Sequence, residues 1–383
     1  MSSIDRRTVL RGAGGLAFLG VSAAAIPRFG TPDRKQDPAS CKAEDLSATD
    51  KRLVVSNWPE YIDTDEPTTI ELFEKRTGIS VSYTADVNDN NEFFAKVVNQ
   101  LGSCQTTKRD LFMLTDWMAA RMIQMGWIQK FQPGTVDNLH ANLISSLANV
   151  GWDPEREYSA PWQSGLTGIA YRADLVPEVR TIDELLTRSD LKGRITVLTE
   201  MRDTMGLIML SDGADPAKFG QDDWDSAIDK LRKARSAGQI RAFTGNEYVQ
   251  DLSAGNIAAC VAWSGDVIAA GDDNIKFVAP EEGLMIWADN MLIPNLASHQ
   301  INAQKWIDYY YEPETAARLA AYVNYICPVK GAQEAMEKID PELVESPLIF
   351  PDDEMLSKTH SFQALSEAQI RTYEREFADV SGG

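Results

Sequence analysis

Short apolar segments alternate with amphipathic segments along most of this chain, and this alternation limits the fold more than any other feature of the sequence. Residues 53–57, 79–83 and 111–114 have the length and the apolar pattern of strands. Each is followed by a segment in which apolar residues recur at helical spacing. An order of strand, helix and strand predicts a parallel sheet with crossover helices. The expected fold class is therefore α/β.

A second block with the same alternation follows residues 161–162. Its predicted strands are residues 168–171, 194–198 and 257–262. An extended apolar segment at residues 284–293 then carries the chain back to the first block. Two such blocks in a chain of 383 residues predict two lobes with a cleft between them. Because ligands of open α/β sheets bind beyond the carboxyl ends of the strands, the residues that follow these strands are candidates for a site.

Aromatic residues and carboxylates recur together at most of these strand ends. The candidates at the strand ends are Trp58, Glu60, Tyr61, Thr115, Asp116, Trp117, Glu200, Asp203, Trp263, Ser264 and Asp266, and the extended return segment adds Trp287 and Asp289. Taken singly, each Trp could be a core residue and each acid could cap a helix. Their repeated pairing is what an organic cation requires, because ring faces and carboxylates both attract an ammonium group.

The N-terminus has the pattern of an export signal. Arg6 and Arg7 precede an apolar stretch at residues 12–25, which is shorter than the roughly 20 residues that a membrane-spanning helix needs. This order predicts a twin-arginine signal region at residues 1–30 and a mature protein in the periplasm or at the extracellular face of the cytoplasmic membrane. Residues 31–50, rich in Pro, Ser, Thr and charged residues, are predicted to form a flexible tether.

Charge and motifs exclude several classes of function. A formal net charge of -20 repels nucleic acids and anionic membranes and attracts cations. The four cysteines form no CxxC pair and the three histidines lie far apart, so neither a structural zinc site nor a redox motif is predicted. No GxSxG, HExxH or P-loop motif follows a predicted strand. The enzymatic alternative that remains is a secreted glycoside hydrolase, which also uses paired carboxylates.

Several short stretches resemble the spermidine/putrescine-binding proteins of ABC importers, which have the type II periplasmic-binding-protein fold. The matching stretches are residues 56–61, 198–203, 262–265, 286–290, 324–325 and 362–363. Their order and spacing extend the resemblance from about Arg52 to Gln363. The resemblance implies two lobes, each a mostly parallel sheet flanked by helices, with the ligand cleft between them. It also implies a binding protein, with neither enzymatic activity nor a cofactor, that delivers a polyamine to the transmembrane subunits of an ABC permease.

The resemblance further implies roles for individual residues of the cleft. Thr115 and Trp117 match positions usually occupied by Ser and Tyr, and Glu200 and Asp203 match an acidic pair that meets amine groups. Asp289 matches the carboxylate central to amine recognition. The implied ligand-binding set, which contains no catalytic residue and no metal ligand, is Trp58, Glu60, Tyr61, Thr115, Asp116, Trp117, Glu200, Asp203, Trp263, Trp287, Asp289, Tyr325 and Gln363.

Two features depart from the family pattern. Asp116 adds an acid where the family more often has a neutral residue, and residues 25–29 contain no cysteine that could carry a lipid anchor. The same fold with another ligand, ferric iron or a betaine, is therefore kept as an alternative to a polyamine.

The predicted organisation also includes lobe boundaries and one disulfide bond. Cys260 and Cys327 flank the predicted pocket residues Trp263 and Tyr325, so a bond between these two cysteines is a hypothesis. The predicted lobes are residues 51–162 plus 287–330 for the first, and residues 163–286 plus 331–383, with the C-terminal helices, for the second.

Overall fold

The computed structural model describes residues 38–382, and its strands form one mixed sheet. In chain order the strands are β1 (Arg52–Asn57), β2 (Ser80–Ala85), β3 (Leu111–Thr115), β4 (Ser159–Arg172), β5 (Ile195–Leu198), β6 (Ile240–Thr244), β7 (Ala259–Trp263), β8 (Ile275–Val278), β9 (Leu284–Leu292) and β10 (Thr359–His360). The main path of the sheet runs β2-β1-β3-β9-β4-β7-β5-β6, while β8 pairs with β4 and β10 pairs with β9. The α/β class is confirmed.

Two parallel halves of the sheet are joined by the antiparallel pair β4 and β9. The first half consists of β1, β2 and β3, and the second half consists of β5, β6 and β7; within each half the pairing is parallel. The register of β4 against β9 shifts between Pro161 and Gln163, because proline has no N–H to offer to the ladder. β4 therefore begins before residues 161–162, which the sequence analysis placed between the two blocks.

Helices connect the strands and follow the last part of the sheet. In chain order they are α1 (Thr69–Thr77), α2 (Asn90–Gly102), α3 (Asp116–Gln124), α4 (Asp137–Asn142), α5 (Ser145–Ala148), α6 (Ile182–Thr187), α7 (Met201–Ser211), α8 (Gln221–Ser236), α9 (Tyr248–Ser253), α10 (Ser264–Ala269), α11 (Gln300–Tyr310), α12 (Pro313–Val323), α13 (Ala332–Met336), α14 (Asp353–Ser357) and α15 (Glu367–Ser381). Short 3-10 turns lie at Pro38–Ser40, Ser189–Leu191 and Pro341–Leu343.

The start of α1 illustrates how local chemistry sets a boundary. The Glu71 N–H donates to the Thr68 hydroxyl at 3.1 Å, and the Thr68 N–H donates to the Glu71 carboxylate at 2.9 Å. This reciprocal cap satisfies two N–H groups that the first turn leaves free. Pro67 has no backbone N–H to donate, and the helix begins after it.

Each half of the sheet has its own hydrophobic core. One core of the first half contains Leu53 and Trp306, and a second, on the same half, contains Phe93. The core of the second half contains Trp224 and Tyr373. A molecule with separate cores on either side of the central strand pair can place a cleft between them.

The residues after 330 divide between these cores. Ala332, Met336 and Ile349 belong to the core that contains Trp306. Tyr373 of α15 belongs to the core of the second half. The packing therefore differs from the predicted lobe boundary for residues 332–349, because α13 packs against α12 in the first half.

Residues 38–50 are held against the folded body. Cys41 forms a disulfide bond with Cys104. The Leu46 N–H donates to the carbonyl of Ser298 at 2.7 Å. The prediction of a flexible tether is therefore wrong for these residues, because their composition gave no sign of these long-range bonds.

The predicted disulfide bond between Cys260 and Cys327 is absent. Both residues are buried free thiols. Cys260 lies on β7 in the core of the second half, whereas Cys327 belongs to the core that contains Trp306 in the first half. Each packs inside a different core, so the two sulfur atoms are not brought together. Burial raises the pKa of both thiols.

The predicted signal region at residues 1–30 lies outside the described residues. None of the helices in residues 38–382 combines the length and the apolar character that a membrane span requires.

Candidate ligand-binding site

A cavity of about 930 Å³ gathers residues from both halves of the sheet. They come from the ends of β1, β3, β5 and β7, from the middle of β9, and from the segments after α12 and before α15. The structure places on the cavity wall the whole set implied by the resemblance, which is Trp58, Glu60, Tyr61, Thr115, Asp116, Trp117, Glu200, Asp203, Trp263, Trp287, Asp289, Tyr325 and Gln363.

Asp289 lies on the side of the cavity formed by the first half of the sheet. The antiparallel pairing of β3 with β9 sets it opposite Thr115, whose hydroxyl donates to Asp289 Oδ1 at 2.8 Å. Asp289 is only 4% exposed. Burial raises the pKa of its carboxyl to about 7, the hydrogen bond from Thr115 opposes this rise, and the charges of Asp116 and Asp203 add to it. A cation that enters the cavity therefore meets a carboxylate that has lost most of its water.

Glu200 and Asp203 bring acidic groups from the second half of the sheet. Glu200 caps α7, where its side chain accepts the N–H of Arg202 at 3.3 Å. Asp203 lies in the first turn of α7, and its Oδ2 accepts a hydrogen bond from Nε1 of Trp263 at 2.8 Å. Burial raises the pKa of Glu200 to about 8 and that of Asp203 to about 6. Both acids line the same cavity as Asp289.

Asp266, near the start of α10, forms a second acidic position in the cavity. The hydroxyls of Tyr325 and Tyr248 donate to it at 2.7 and 2.8 Å, and the Asn246 side chain donates at 3.0 Å. Burial raises the pKa of Asp266, and these three hydrogen bonds oppose the rise. Ser264, a candidate from the same strand end, is buried and does not line the cavity.

Asp266 was a candidate from the sequence, whereas its hydrogen-bond partners Asn246 and Tyr248 were not. Asp266 follows a predicted strand, which is its only signal, because the resemblance did not include it. Asn246 and Tyr248 follow β6, a strand that the sequence analysis missed. The strand-end rule therefore had no means of finding them.

Aromatic rings form an edge-to-face series beside the acidic groups. Ring centroids are 5.4 Å apart for Tyr61 and Tyr325, 5.5 Å for Tyr325 and Trp287, and 6.4 Å for Trp287 and Trp263. Because the Tyr325 hydroxyl also bonds Asp266, this series connects directly to the second acidic position. The cavity thus offers apolar ring surface next to buried carboxylates, which suits an alkyl ammonium group.

Two glycines allow these rings to lie against the backbone. A Cβ atom at Gly265 would lie 2.5 Å from the ring of Tyr325, and one at Gly165 would lie 2.3 Å from the ring of Trp287. Both distances are far shorter than carbon–carbon van der Waals contact. Any larger residue at either position would displace a ring of the cavity wall.

We expect Gly265→Ala to move the Tyr325 ring and to loosen its hydrogen bond to Asp266. Forcing an extra methyl group into a packed site costs roughly 1–3 kcal/mol. Thermal unfolding and calorimetric titration measure the effect on stability and on ligand affinity. Gly102→Ala is the matched control, because the nearest atom to its added Cβ is 3.7 Å away. Equal behaviour of the two variants would contradict a role for Gly265 in placing Tyr325.

Arg202 is a buried cation of the cavity wall that the predictions did not include. It is 6% exposed, and its Cζ lies 3.4 Å from the centroid of the Trp117 ring. Its Nη1 lies 3.6 Å from Oε1 of Glu200. Burial lowers the pKa of the guanidinium, and the charge of Glu200 opposes this change. The sequence places Arg202 between two predicted ligand residues, but nothing local indicates that Trp117 lies against it.

Asp116, the acid that departs from the family pattern, is connected to a buried cation behind the cavity wall. Its Oδ1 accepts a hydrogen bond from Nδ2 of Asn290 at 2.7 Å, and Oδ1 of Asn290 accepts one from Nη1 of Arg156 at 3.0 Å. Burial raises the pKa of Asp116, and the charge of Arg156 opposes the rise. The charge of the additional acid is thus partly balanced within the protein by Arg156.

Comparisons with known proteins place the chain in a family. The family model described as bacterial extracellular solute-binding protein matches residues 68–351. The putrescine-binding periplasmic protein of Escherichia coli (strain K12) is 27% identical over 361 residues, which cover 88% of this chain and 93% of that protein. The spermidine/putrescine-binding periplasmic protein of Salmonella typhimurium is 25% identical over 334 residues, which cover 86% of this chain and 92% of that protein.

A solved structure agrees with these relatives. The spermidine/putrescine ABC transporter substrate-binding protein of Streptococcus pneumoniae, in complex with calcium and HEPES, is 25% identical and superposes with a TM-score of 0.72. The match covers 87% of this chain and 99% of that one. The chain therefore belongs to the bacterial extracellular solute-binding proteins and has their type II periplasmic-binding-protein fold.

Proposed function

We propose that this protein is the extracytoplasmic substrate-binding component of an ABC importer and that its ligand is a polyamine such as putrescine or spermidine. Its task is to deliver the ligand to the transmembrane subunits of the permease, and it carries out no chemical reaction. The observation that carries the proposal is the combination of carboxylates, above all the buried Asp289 and the partly buried Asp266, with aromatic rings in one cavity. Relatives named for putrescine and spermidine support it.

The chemistry of a diamine fits this arrangement. Such a ligand is a flexible apolar rod with a positive charge at each end. Each ammonium group that leaves water needs a carboxylate partner, because an unpaired buried charge is very costly. The acidic positions at Asp289 and Asp266 can each take one end, and contact of a cation with a ring face contributes roughly 0.5–2 kcal/mol. The methylene chain can lie against Trp263 and Trp287.

Selectivity against amino acids follows from the charges of the cavity. An α-carboxylate would meet the negative field of Asp203, Asp266 and Asp289. A ligand with a free carboxylate is therefore repelled by the acids that surround it.

The alternatives have weaker support. A betaine carries a carboxylate and meets the same repulsion as an amino acid. A ferric site prefers clustered tyrosines, but the hydroxyls of Tyr325 and Tyr248 already donate to Asp266 of this cavity. A glycoside hydrolase would need two carboxyl groups placed across a sugar bond, whereas here the acids lie beside aromatic rings that suit an alkyl ammonium group.

Calorimetric titration of the purified exported protein tests the proposal. Putrescine, spermidine and spermine are compared with betaine, ferric iron and an uncharged sugar. We expect saturable binding of putrescine or spermidine with one site per chain. No heat with any polyamine, together with clear binding of the sugar, would refute the proposal.

We also propose that the protein reaches the periplasm by the twin-arginine route. The Cys41–Cys104 disulfide bond supports an oxidising compartment, in agreement with the periplasmic names of its relatives. Replacement of both Arg6 and Arg7 by Lys should retain the precursor in the cytoplasm, as cell fractionation measures. Normal export of that variant would indicate the general secretory route.

A further inference from the structure

Three side-chain contacts along one rim of the cavity join the two halves of the molecule. Helices α2 and α3 pack in a core of the first half, and α7 and α15 pack in the core of the second half. The contacts between these helices, which we call the rim seam, are Arg202 with Trp117, Arg121 with Glu367, and Asn91 with Glu374.

Two of these contacts are polar and partly exposed. Nε of Arg121 lies 3.2 Å from Oε1 of Glu367, and Nδ2 of Asn91 donates to Oε1 of Glu374 at 3.3 Å. Exposed pairs of this kind contribute little to stability, because water competes for them and salt screens them. They mark where the halves meet, but they do not by themselves hold the halves together.

Arg202 is the buried member of the seam. Its Cζ lies 3.4 Å from the centroid of the Trp117 ring, and the residue is 6% exposed. Its Nε and Nη1 atoms are buried without a hydrogen-bond acceptor. The Oε1 atom of Glu200 lies 3.6 Å from Nη1, which is longer than a hydrogen bond.

A guanidinium in this position is costly unless other groups replace the water that it has lost. Three groups do so: the charges of Glu200 and Glu374, and the face of the Trp117 ring. Glu200 caps the same helix as Arg202 and stays beside it in any arrangement of the two halves. Trp117 belongs to α3 in the first half, so the stack exists only while the halves are together.

We propose that Arg202 is a positioning residue that keeps the two halves together around a bound ligand through its stack on Trp117. The proposal rests on the proposed function for the identity of the ligand. Arg202 does not bind an ammonium group, because like charges repel. The stack has to break before the ligand leaves, so it slows dissociation and leaves association nearly unchanged.

Stopped-flow kinetics with putrescine test this effect. Arg202→Met keeps an unbranched side chain and removes the cation, and we expect dissociation about 3- to 30-fold faster, the range that one cation–π contact provides. Arg202→Lys keeps a cation and should recover part of the slow dissociation. Arg232→Met is the matched control, because Arg232 is an exposed residue of α8 that pairs with Asp229.

A double-mutant cycle separates the stack from the other role of Trp117, which also lines the cavity. Trp117→Leu is measured alone and together with Arg202→Met. We expect the two changes to be coupled, so that the double variant dissociates about 3- to 30-fold more slowly than additive effects would give. Effects that add to within about twofold would overturn the proposal, because the two side chains would then act independently.

A second measurement needs no ligand and reports on the seam itself. Asn91→Cys and Glu374→Cys place two thiols across it, and a short bis-maleimide joins them when the halves meet. The native thiols Cys260 and Cys327 are buried and therefore protected. We expect addition of Arg202→Met to slow this cross-linking by about threefold or more.

Together, the dissociation kinetics and the cross-linking distinguish a failure of this inference from a failure of the proposed function. An unchanged cross-linking rate in the Arg202→Met background would overturn the inference even if polyamines bind. Slower cross-linking without binding of any polyamine would refute the proposed function and leave the role of Arg202 in the seam intact.

Discussion

Replacing Asp289 with Asn is expected to weaken putrescine binding by about 30- to several-thousand-fold. The substitution keeps the shape of the side chain and an acceptor for the Thr115 hydroxyl. It removes the charge that pairs with an ammonium group, and loss of one such charge-assisted bond costs about 2–5 kcal/mol. Calorimetric titration of the parent and the variant measures the difference directly.

The fold itself should not suffer from this substitution. Asp289 is 4% exposed, and a carboxylate that has lost its water destabilises the ligand-free protein. The variant is therefore expected to unfold at the same temperature as the parent or higher. Asp229→Asn, on the exposed face of α8, is the matched control. If Asp289→Asn binds putrescine within about threefold of the parent, Asp289 is not the anchor and the role passes to Asp203 and Glu200.

Putrescine affinity is expected to fall by about 50-fold between about pH 7 and about pH 5. The pKa of Asp289 is raised to about 7 by burial, so below that pH the carboxyl is protonated in the ligand-free protein. An ammonium group prefers the ionised form, and each pH unit below the pKa then costs up to about tenfold in affinity. Both amines of the ligand stay protonated over this range, because alkyl amines have pKa values of about 10.

The stability of the ligand-free protein should change in the opposite direction. The carboxyls of Asp203, Glu200 and Asp289 have pKa values of about 6, about 8 and about 7, all raised by burial. Folding therefore favours their protonated forms, and this contribution is present at low pH and lost as the pH rises through these values. We expect the cavity carboxyls to make the ligand-free protein less stable at about pH 8 than at about pH 5, while ligand-induced stabilisation increases.

Comparing the pH dependence of the parent with that of Asp289→Asn separates the effect of the Asp289 carboxyl on affinity and stability from the effects of other titrating groups. The variant lacks the carboxyl with a pKa of about 7, so its affinity should depend less steeply on pH. Calorimetry in buffers with different ionisation enthalpies would also detect proton release on binding by the parent. An affinity that stays constant over this pH range, with no proton release, would contradict the raised pKa of Asp289.

Strands buried on both faces were predicted closely from the sequence. β3, β5 and β7 consist almost entirely of buried residues and therefore appear as short continuous apolar runs. β6 lies at the end of the sheet path, and most of its residues are only partly buried. Such a strand has no continuous apolar run, which explains why it was missed together with Asn246 and Tyr248.

The residues of the cavity were predictable for a related reason. A parallel strand delivers the residues that follow it to one edge of the sheet, so aromatic and acidic types at several strand ends indicate a common location. This reasoning located Asp203 and Trp263, whereas Asp289 was selected from the extended segment that became β9. It gave Arg202 no role, because a cation next to acids that are proposed to bind amines has no local explanation. Its contact with Trp117 depends on two helices that are distant in the chain.

The amino-acid sequence by itself determined the α/β class, the two blocks and a set of acidic and aromatic residues of the cavity, because periodicity and strand ends are local properties of the chain. Only the tertiary structure decided that Cys41 rather than Cys260 or Cys327 is bridged, and that Arg202 stacks on Trp117. The raised pKa of Asp289 was also decided there. These properties depend on which distant segments meet and on how much water each side chain loses, and neither is encoded in a local pattern.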